Sequence, residues 1–172
     1  MKYIFVSDIH GKTEMMEECI KIFEKENADK LVILGDTAAQ IDTLANEEIA
    51  ILINKMKENI EIIRGNCDNK HLEELLEIEL LDMDNLYING KLVTITHGHY
   101  YDCYNRPSNC GEIFIQGHTH VPMLQENNGM ILANPGSLGR PRGTDLKCYL
   151  IMNEEKIELK TIDGKAIKTI NF

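Results

Sequence analysis

Five times along this chain, a short apolar segment that fits a β-strand is followed at once by a side chain that can bind a metal ion. The five apolar segments are residues 4–7, 31–35, 62–65, 92–96 and 113–117. The side chains that follow them are Asp8 with His10, Asp36, Asn66, His97, and His118 with His120. Because ligands of α/β sheets bind at the carboxyl ends of strands, we expect these five loops to converge in space.

The spacing of apolar residues predicts an α/β fold made of two stacked sheets flanked by helices. In the first half, strands at residues 3–6, 31–34 and 60–63 alternate with helices at residues 13–26, 45–57 and 69–77. The second half contains strands at residues 92–96, 113–116, 130–133, 147–152 and 156–162, with Asn-Gly turns at residues 89–90 and 128–129. No linker or repeat interrupts the chain, so we expect a single domain over residues 1–172.

The charge balance excludes some partners without restricting the chemistry. The chain has 18 Lys and Arg against 28 Asp and Glu, a net charge of -10, and this disfavours extended nucleic-acid binding, which depends on basic side chains. A small phosphorylated substrate is compatible with it, since bound cations dominate the local field. No segment approaches the roughly 20 apolar residues that span a bilayer, and the segment before Asp8 is too short for a secretory signal. We therefore expect a cytoplasmic protein with no membrane partner.

The five cysteines show no pattern typical of a disulfide framework or a zinc knuckle. Their number is odd, and no two of them form a Cys-x-x-Cys pair. Cys19 lies in a predicted helix and Cys148 in a predicted strand, so we expect both to be buried as ordinary small residues.

The types of side chain in the five loops indicate which metals could bind there. Two Asp, four His and one Asn offer oxygen and imidazole nitrogen, a mixture that suits Mn²⁺, Fe²⁺, Ni²⁺, Co²⁺ or Zn²⁺. Seven ligands are too many for one structural zinc ion, which takes four. They fit two ions that share a bridging carboxylate, and only Asp8 or Asp36 can supply that bridge.

The simpler alternative is that these histidines are ordinary polar residues in turns. Five of the six histidines fall in the five loops, and each short motif is commonplace when taken alone. Chance would have to place a metal-binding type of side chain in all five loops, so the metal site is the better explanation. His71 is the exception, because it lies in a predicted helix and is expected at the surface.

Taken together, the motifs resemble those of the calcineurin-like metallophosphoesterases. The family pattern D-x-H, G-D, G-N-H-[DE], H-G and G-H-x-H corresponds to residues 8–10, 35–36, 65–68, 97–98 and 117–120, with Cys67 in place of the histidine of the third motif. The small size and the sequence Asn-Pro-Gly-Ser at residues 134–137 resemble the compact bacterial and archaeal phosphodiesterase branch. The resemblance extends from Asp8 to about Arg142.

The resemblance implies a four-layer αββα sandwich of two mixed β-sheets, and two divalent ions per chain. It places Asp8, His10, Asp36 and His120 on one ion, and Asp36, Asn66, His97 and His118 on the other. Asp36 is then the bridge. Mn²⁺ is our first expectation for the metal, and Asp36, Asn66 and His99 are the expected catalytic residues.

One departure from the family concerns protonation of the leaving group. Many members have a histidine after the Asn of the third motif, whereas this chain has Cys67. We expect Cys67 to be structural, which leaves His99 as the acid or leaves the site without one. The enzyme would then favour phosphodiesters with good leaving groups, such as aryl esters. Asp68 could orient a ligand or cap a turn, and Arg140 could contact phosphate or belong to a solvated basic loop.

The expected function is hydrolysis of a small phosphodiester. A phosphomonoesterase of the same mechanism is the alternative within the enzyme class. A non-catalytic scaffold is the alternative from another class, because the retromer scaffold subunit shares the family fold with an incomplete metal site. Storage or structural binding of metal is a weaker alternative, and a homo-oligomer is possible.

Overall fold

The computed structural model describes residues Met1 to Phe172, which form two β-sheets and three helices. The helices are α1 (Thr13–Lys25), α2 (Thr43–Lys55) and α3 (Lys70–Leu75). The strands are β1 (Tyr3–Val6), β2 (Lys30–Ile33), β3 (Ile60–Ile63), β4 (Leu80–Leu81), β5 (Met83–Ile88), β6 (Lys91–Thr96), β7 (Ile113–Gln116), β8 (Met123–Asn127), β9 (Met130–Asn134), β10 (Cys148–Met152), β11 (Lys156–Thr161) and β12 (Ala166–Asn171).

The first sheet has seven strands in the order β12-β11-β10-β1-β2-β3-β4. Strands β1 to β4 run parallel, and β10 to β12 are added antiparallel on the other side of β1. The second sheet has five strands in the order β5-β6-β7-β9-β8, of which β6, β7 and β9 are parallel. Both sheets are therefore mixed, as the sequence predicted.

Alternation of side chains along each strand divides the interior into two apolar cores. On β1, Ile4 and Val6 face the helices, whereas Phe5 faces the second sheet. In the core between the sheets, Phe5 joins residues such as Ile95 and Ile115. Successive side chains of a strand point to opposite faces, so each strand of the first sheet contributes to both cores.

All three helices pack on the outer face of the first sheet. Helix α1 buries Met16, Cys19 and Ile22 there, at the spacing of one helical face. Helix α2 begins after Asp42, whose side chain accepts a hydrogen bond from the Ala45 N–H (3.2 Å). None of the helices is long and apolar enough to cross a membrane.

A loop occupies the place of the fourth layer, over the outer face of the second sheet. The side chains of Thr94 and Gln116 point outward from this sheet and accept hydrogen bonds from the Gly111 N–H (2.8 Å) and the Cys103 N–H (2.6 Å). Residues 97–112 thus cover this face without forming a helix. The two mixed sheets with flanking helices are confirmed, but the helices lie on one side only.

The structure also tests the expectations for two cysteines, for the number of strands and for His71. Cys19 and Cys148 are buried, as expected. Strands β4, β5, β8 and β12 were not predicted. The surface position predicted for His71 is wrong: the residue is half-buried and its Nε2 atom is shielded from solvent. The reason is that α3 lies against α2, so that only Lys70 and Glu74 of its six residues are exposed.

Candidate metal centre

The five loops identified in the sequence meet at one end of the stacked sheets. Backbone hydrogen bonds join neighbouring loops, from the Asp8 N–H to Gly35 (3.0 Å) and from the Gly117 N–H to His97 (2.9 Å). The two sheets are connected where the His118 N–H donates to Asp8 Oδ2 (3.0 Å). Parallel strands bring their carboxyl ends to one edge, which explains why motifs distant in sequence lie together.

The backbone at this edge is held in a conformation that non-glycine residues rarely adopt. Eight non-glycine residues have positive φ, and three of them are asparagines, which tolerate the left-handed region. The other five are all predicted ligands: Asp8, His10, Asp36, His118 and His120. Each such residue costs on the order of 1–3 kcal/mol unless its surroundings enforce it, and such strain concentrates at functional sites.

Glycine is required where the third loop approaches the second. A methyl group at Gly65 would overlap the backbone nitrogen and the carboxylate of Asp36. The glycine before Asn66 therefore allows the third loop to contact the second directly.

Four side chains form the buried half of the site. One ligand atom from each lies within 4.8 Å of the others, and the four residues are Asp8, His10, Asp36 and His120. These are the residues that the family resemblance assigns to one ion.

The remaining predicted ligands form an outer half that is more open to solvent. His97 is fully buried, His118 is half-buried and Asn66 is exposed. The His97 Nε2 atom lies 3.1 Å from Asn66 Oδ1, and the rings of His97 and His118 are 5.0 Å apart between centroids. The structure thus brings all seven predicted ligands to one place.

Asp36 lies between the two halves and faces both. Its Oδ2 atom is 3.8 Å from His10 Nε2, and its Oδ1 atom is 3.4 Å from His97 Nε2. The two oxygens of one carboxylate are therefore presented to different histidines, as a bridging ligand requires. Asp8 approaches the histidines of the buried half, His10 and His120.

The hydrogen bonds of His120 show that the buried half is arranged for a positive charge. Its Nδ1 atom lies 2.6 Å from the Arg140 carbonyl oxygen, which can only accept, so Nδ1 carries the hydrogen. In the neutral ring, the Nε2 lone pair then faces Asp8 Oδ1 at 3.0 Å and His10 Nε2 at 3.1 Å. Asp8 Oδ1 is buried and has no hydrogen-bond partner. A cation satisfies these facing electron pairs.

The outer half has the same arrangement around His97. Its Nδ1 atom donates to the Leu34 carbonyl oxygen (2.7 Å), so the Nε2 lone pair points at Asn66 Oδ1 and Asp36 Oδ1. Ligating histidines in proteins are commonly held in this way by a carbonyl behind the ring. The donor set therefore fits a divalent cation in each half.

Burial and the close contacts of carboxylate with imidazole determine the ionisation of these residues. Burial opposes the charged form of Asp8, but the close contact with His120 and the hydrogen bond from Ser7 hold the pKa of Asp8 below its usual range. The same contact with Asp8 raises the pKa of His120. Burial lowers the pKa of His10 and of His118, which favours neutral rings that can bind a cation through nitrogen.

Asp68 holds the loop that carries Asp36. Its carboxylate accepts hydrogen bonds from four backbone N–H groups, at 2.7–3.0 Å, and the donors are Asp36, Thr37, Ala38 and Gly65. Burial raises the pKa of Asp68, and these N–H groups oppose the rise because they stabilise the carboxylate. Its contacts combine the two roles considered from the sequence: Asp68 organises a turn and thereby orients Asp36.

Cys67 contacts the same loop. Its N–H donates to Asp36 Oδ1 (2.8 Å), and Gln40 Nε2 lies 3.2 Å from its Sγ atom. Burial and the neighbouring Asp36 raise the pKa of the Cys67 thiol to about 11, which makes it a weak acid. These contacts favour the structural interpretation of Cys67.

His99 and Arg140 lie at the rim of the site. The His99 ring is 5.3 Å from His97 and 6.4 Å from His118, measured between centroids. Arg140 is exposed, and it contacts the site through its backbone carbonyl, which orients His120. The role of its guanidinium group stays a prediction.

Sequence reasoning missed a set of buried polar residues behind the ligands. Ser7 donates to Asp8 Oδ2 (2.5 Å), and Ser137 donates to the Asp8 carbonyl oxygen (2.8 Å). Asn134 donates to the Gly117 carbonyl oxygen (2.7 Å), just before His118. The available signal was the Asn-Pro-Gly-Ser sequence, which marked the branch of the family but had no role assigned to it.

Comparisons with known proteins agree with this geometry. Residues 1–156 match the calcineurin-like phosphoesterase superfamily domain. The chain is 27% identical to phosphodiesterase YfcE of Escherichia coli over 175 residues, which cover 97% of this chain and 95% of that protein. A solved structure of E. coli YfcE, described as a phosphoesterase, superposes with a TM-score of 0.90 at 26% identity, covering 99% and 98% of the two chains. Vacuolar protein sorting 29 from Cryptosporidium parvum shares the fold, with a TM-score of 0.67 at 18% identity, covering 99% and 97% of the two chains.

Proposed function

The chain belongs to the calcineurin-like phosphoesterase superfamily, and from that membership we propose that it hydrolyses a small phosphodiester at a centre of two divalent metal ions. The observation that carries the proposal is the set of lone pairs that face one another around Asp36. Oxygen and nitrogen acceptors converge there from two directions, at 3.0–3.8 Å, and cations satisfy them.

We assign Asp8, His10 and His120 to one ion, and Asn66, His97 and His118 to the other, with Asp36 shared. When bound, two such ions lower the pKa of a water molecule and neutralise charge on the phosphoryl oxygens. The residues of this chain hold the ions in place: carbonyl groups behind His97 and His120 fix the direction of each ring. Mn²⁺ is the metal that we propose first, and the mixture of carboxylate oxygen with imidazole nitrogen also suits Fe²⁺, Ni²⁺, Co²⁺ and Zn²⁺.

The preference for a substrate with a good leaving group rests on the leaving-group side of the site. Cys67 is a weak acid, and burial together with His97 and His118 lowers the pKa of His99. Neither side chain is a strong proton donor at neutral pH, so substrates whose leaving group needs no protonation are favoured. Aryl phosphodiesters have that property, and the E. coli relative is itself named a phosphodiesterase. We further propose a cytoplasmic location, and a homo-oligomer is compatible with the fold.

The test is metal analysis of the purified protein, followed by assays with Mn²⁺, Ni²⁺, Co²⁺, Fe²⁺ and Zn²⁺ added back separately. We expect two ions per chain and faster hydrolysis of bis(p-nitrophenyl) phosphate than of alkyl phosphomonoesters. Equal rates on the two substrates would instead indicate a general phosphoesterase with an efficient acid. Two bound ions without turnover of any phosphoester would favour the scaffold alternative.

A further inference from the structure

A cavity of about 420 Å³ lies beside the metal centre, and none of the seven predicted ligands lines it. Its lining consists of Asp82, Met83, Tyr100 and Tyr101, and Met83 pairs with Thr96, the residue before His97. Its volume is within the range of roughly 300–1,000 Å³ typical of small-molecule sites. The two tyrosines are 69% and 40% exposed, so their rings are available to a ligand.

The His99 ring lies between the cavity and the metal centre. The rings of His99 and Tyr100 are 3.9 Å apart between centroids, and His99 is 5.3 Å from His97 on its other side. A group attached to a phosphate at the metal centre therefore reaches the tyrosines by extending past His99.

Hydrogen bonds hold the tyrosine wall in place. The Thr96 hydroxyl donates to the Tyr101 carbonyl oxygen (3.5 Å), and Asn105 Nδ2 donates to that of Tyr100 (3.4 Å). The backbones of Asp102 and Asn105 bond each other in both directions. Two exposed aromatic rings on a loop fixed in this way form a surface that is ordered before a ligand arrives.

We propose that this cavity binds an aromatic arm of the phosphodiester substrate, with Tyr100 and Tyr101 as the residues that determine specificity. The inference rests on the proposed function. Tyrosine rings stack on planar groups, and each such contact contributes about 0.5–1.5 kcal/mol beyond the burial of area, or roughly two- to twelvefold in affinity.

The acidic wall restricts the arm further. Arg64 Nε donates to Asp82 Oδ1 (3.2 Å) and so fixes this carboxylate at the edge of the cavity. Pairing with Arg64 offsets the charge of this exposed carboxylate, and its oxygens can accept a hydrogen bond from a ligand. The preferred arm is therefore an aryl group or a heteroaromatic base that can donate a hydrogen bond.

The experiment measures binding of phenylphosphonate and methylphosphonate to the metal-loaded protein by calorimetry. Both probes have the same phosphonate, but only the first has a ring that reaches the cavity. We expect the wild type to bind phenylphosphonate about three- to tenfold more tightly, Tyr100→Ala to lose that difference, and Tyr100→Phe to keep it. Tyr104→Ala is the matched control, because Tyr104 is 95% exposed on the same loop and does not line the cavity.

Turnover of bis(p-nitrophenyl) phosphate by the same preparations reports on the proposed function separately. If turnover is normal and the wild type binds both phosphonates equally, the cavity proposal alone is overturned. An equal loss of discrimination in Tyr104→Ala would overturn it as well. If no phosphoester is hydrolysed and neither phosphonate binds, the proposed function fails, and this inference fails with it.

Discussion

The buried and the outer halves of the candidate metal centre differ in their access to solvent. In the buried half, Asp8, His10 and His120 are almost completely enclosed. In the outer half, Asn66 is exposed and His118 half-buried. The buried half is organised in a dry environment, where unpaired electron pairs are costly, whereas Asn66 and His118 of the outer half are accessible to solvent.

This difference suggests that the halves have different tasks. The buried half is enclosed by β1, its neighbouring loops and the segment of residues 135–142, so it is suited to hold its ion permanently. The outer half has an exposed amide ligand, so it exchanges its ion more readily and leaves room for a phosphoryl oxygen. Asp36 belongs to both, so its substitution should have the largest effect.

We expect Asp36→Asn to lower kcat/KM on the order of 1,000-fold, because both ions lose charge from their shared ligand. Metal content should fall in the same preparation, and elemental analysis checks this. Asp42→Asn is the control, since Asp42 lies on the same segment as the N-cap of α2 and Asn is an equally good cap. Wild-type turnover and metal content in Asp36→Asn would remove Asp36 from the centre.

Asn66→Ala should separate the two halves. We expect it to retain about one ion per chain after gel filtration and to lose roughly 100-fold in activity, since only the exposed half loses a ligand. His10→Ala, in the buried half, should lose metal more completely. If both variants lose metal equally, the halves do not differ as proposed.

Asp68→Asn should weaken the outer half without removing a ligand. The new amide nitrogen would face backbone N–H groups that now donate to a carboxylate oxygen, at a cost of about 1–3 kcal/mol in the free energy of unfolding. We expect activity to fall about tenfold as the Asp36 loop shifts, with a lower Tm by calorimetry. Asp42→Asn, which keeps the N-cap of α2, should behave like the wild type in both measurements.

The smallest effect is expected away from the centre, at Glu61. This residue pairs with Val32 in the first sheet and faces the second sheet, where burial and Asp84 raise its pKa to about 7. Its folded pKa is above the unfolded value, so the native state binds the additional proton. Stability is therefore lost as pH rises from about 4.5 to about 7, although Lys30 partly offsets the effect.

Glu61→Gln should reduce this loss. After allowance for solvent screening, we expect a gain of about 1–2 kcal/mol in the free energy of unfolding at pH 8 and none at pH 4. Urea unfolding at the two pH values measures the difference. A variant that is less stable than the wild type at pH 8 would contradict the assignment.

Much of the centre was predictable because its chemistry requires particular side chains at strand ends. Asp8, Asp36 and His118 are identifiable from their position after apolar segments alone. Strand β12 was missed because its residues are mostly exposed and show no apolar alternation. Strand β5 was missed for a similar reason, as five of its six residues are only half-buried or exposed.

The sequence by itself determined the donor set, its position at the ends of five strands and the family to which the chain belongs. Tertiary structure alone decided three other matters. It positioned the carbonyls of Leu34 and Arg140 behind two ligand rings, and it placed Asp68 on the loop of Asp36. It also brought Tyr100 and Asp82 into the lining of one cavity. Every residue has a carbonyl group, and the tyrosines follow no periodic pattern. Only the packing of the chain therefore shows which carbonyl groups and which tyrosines face the centre.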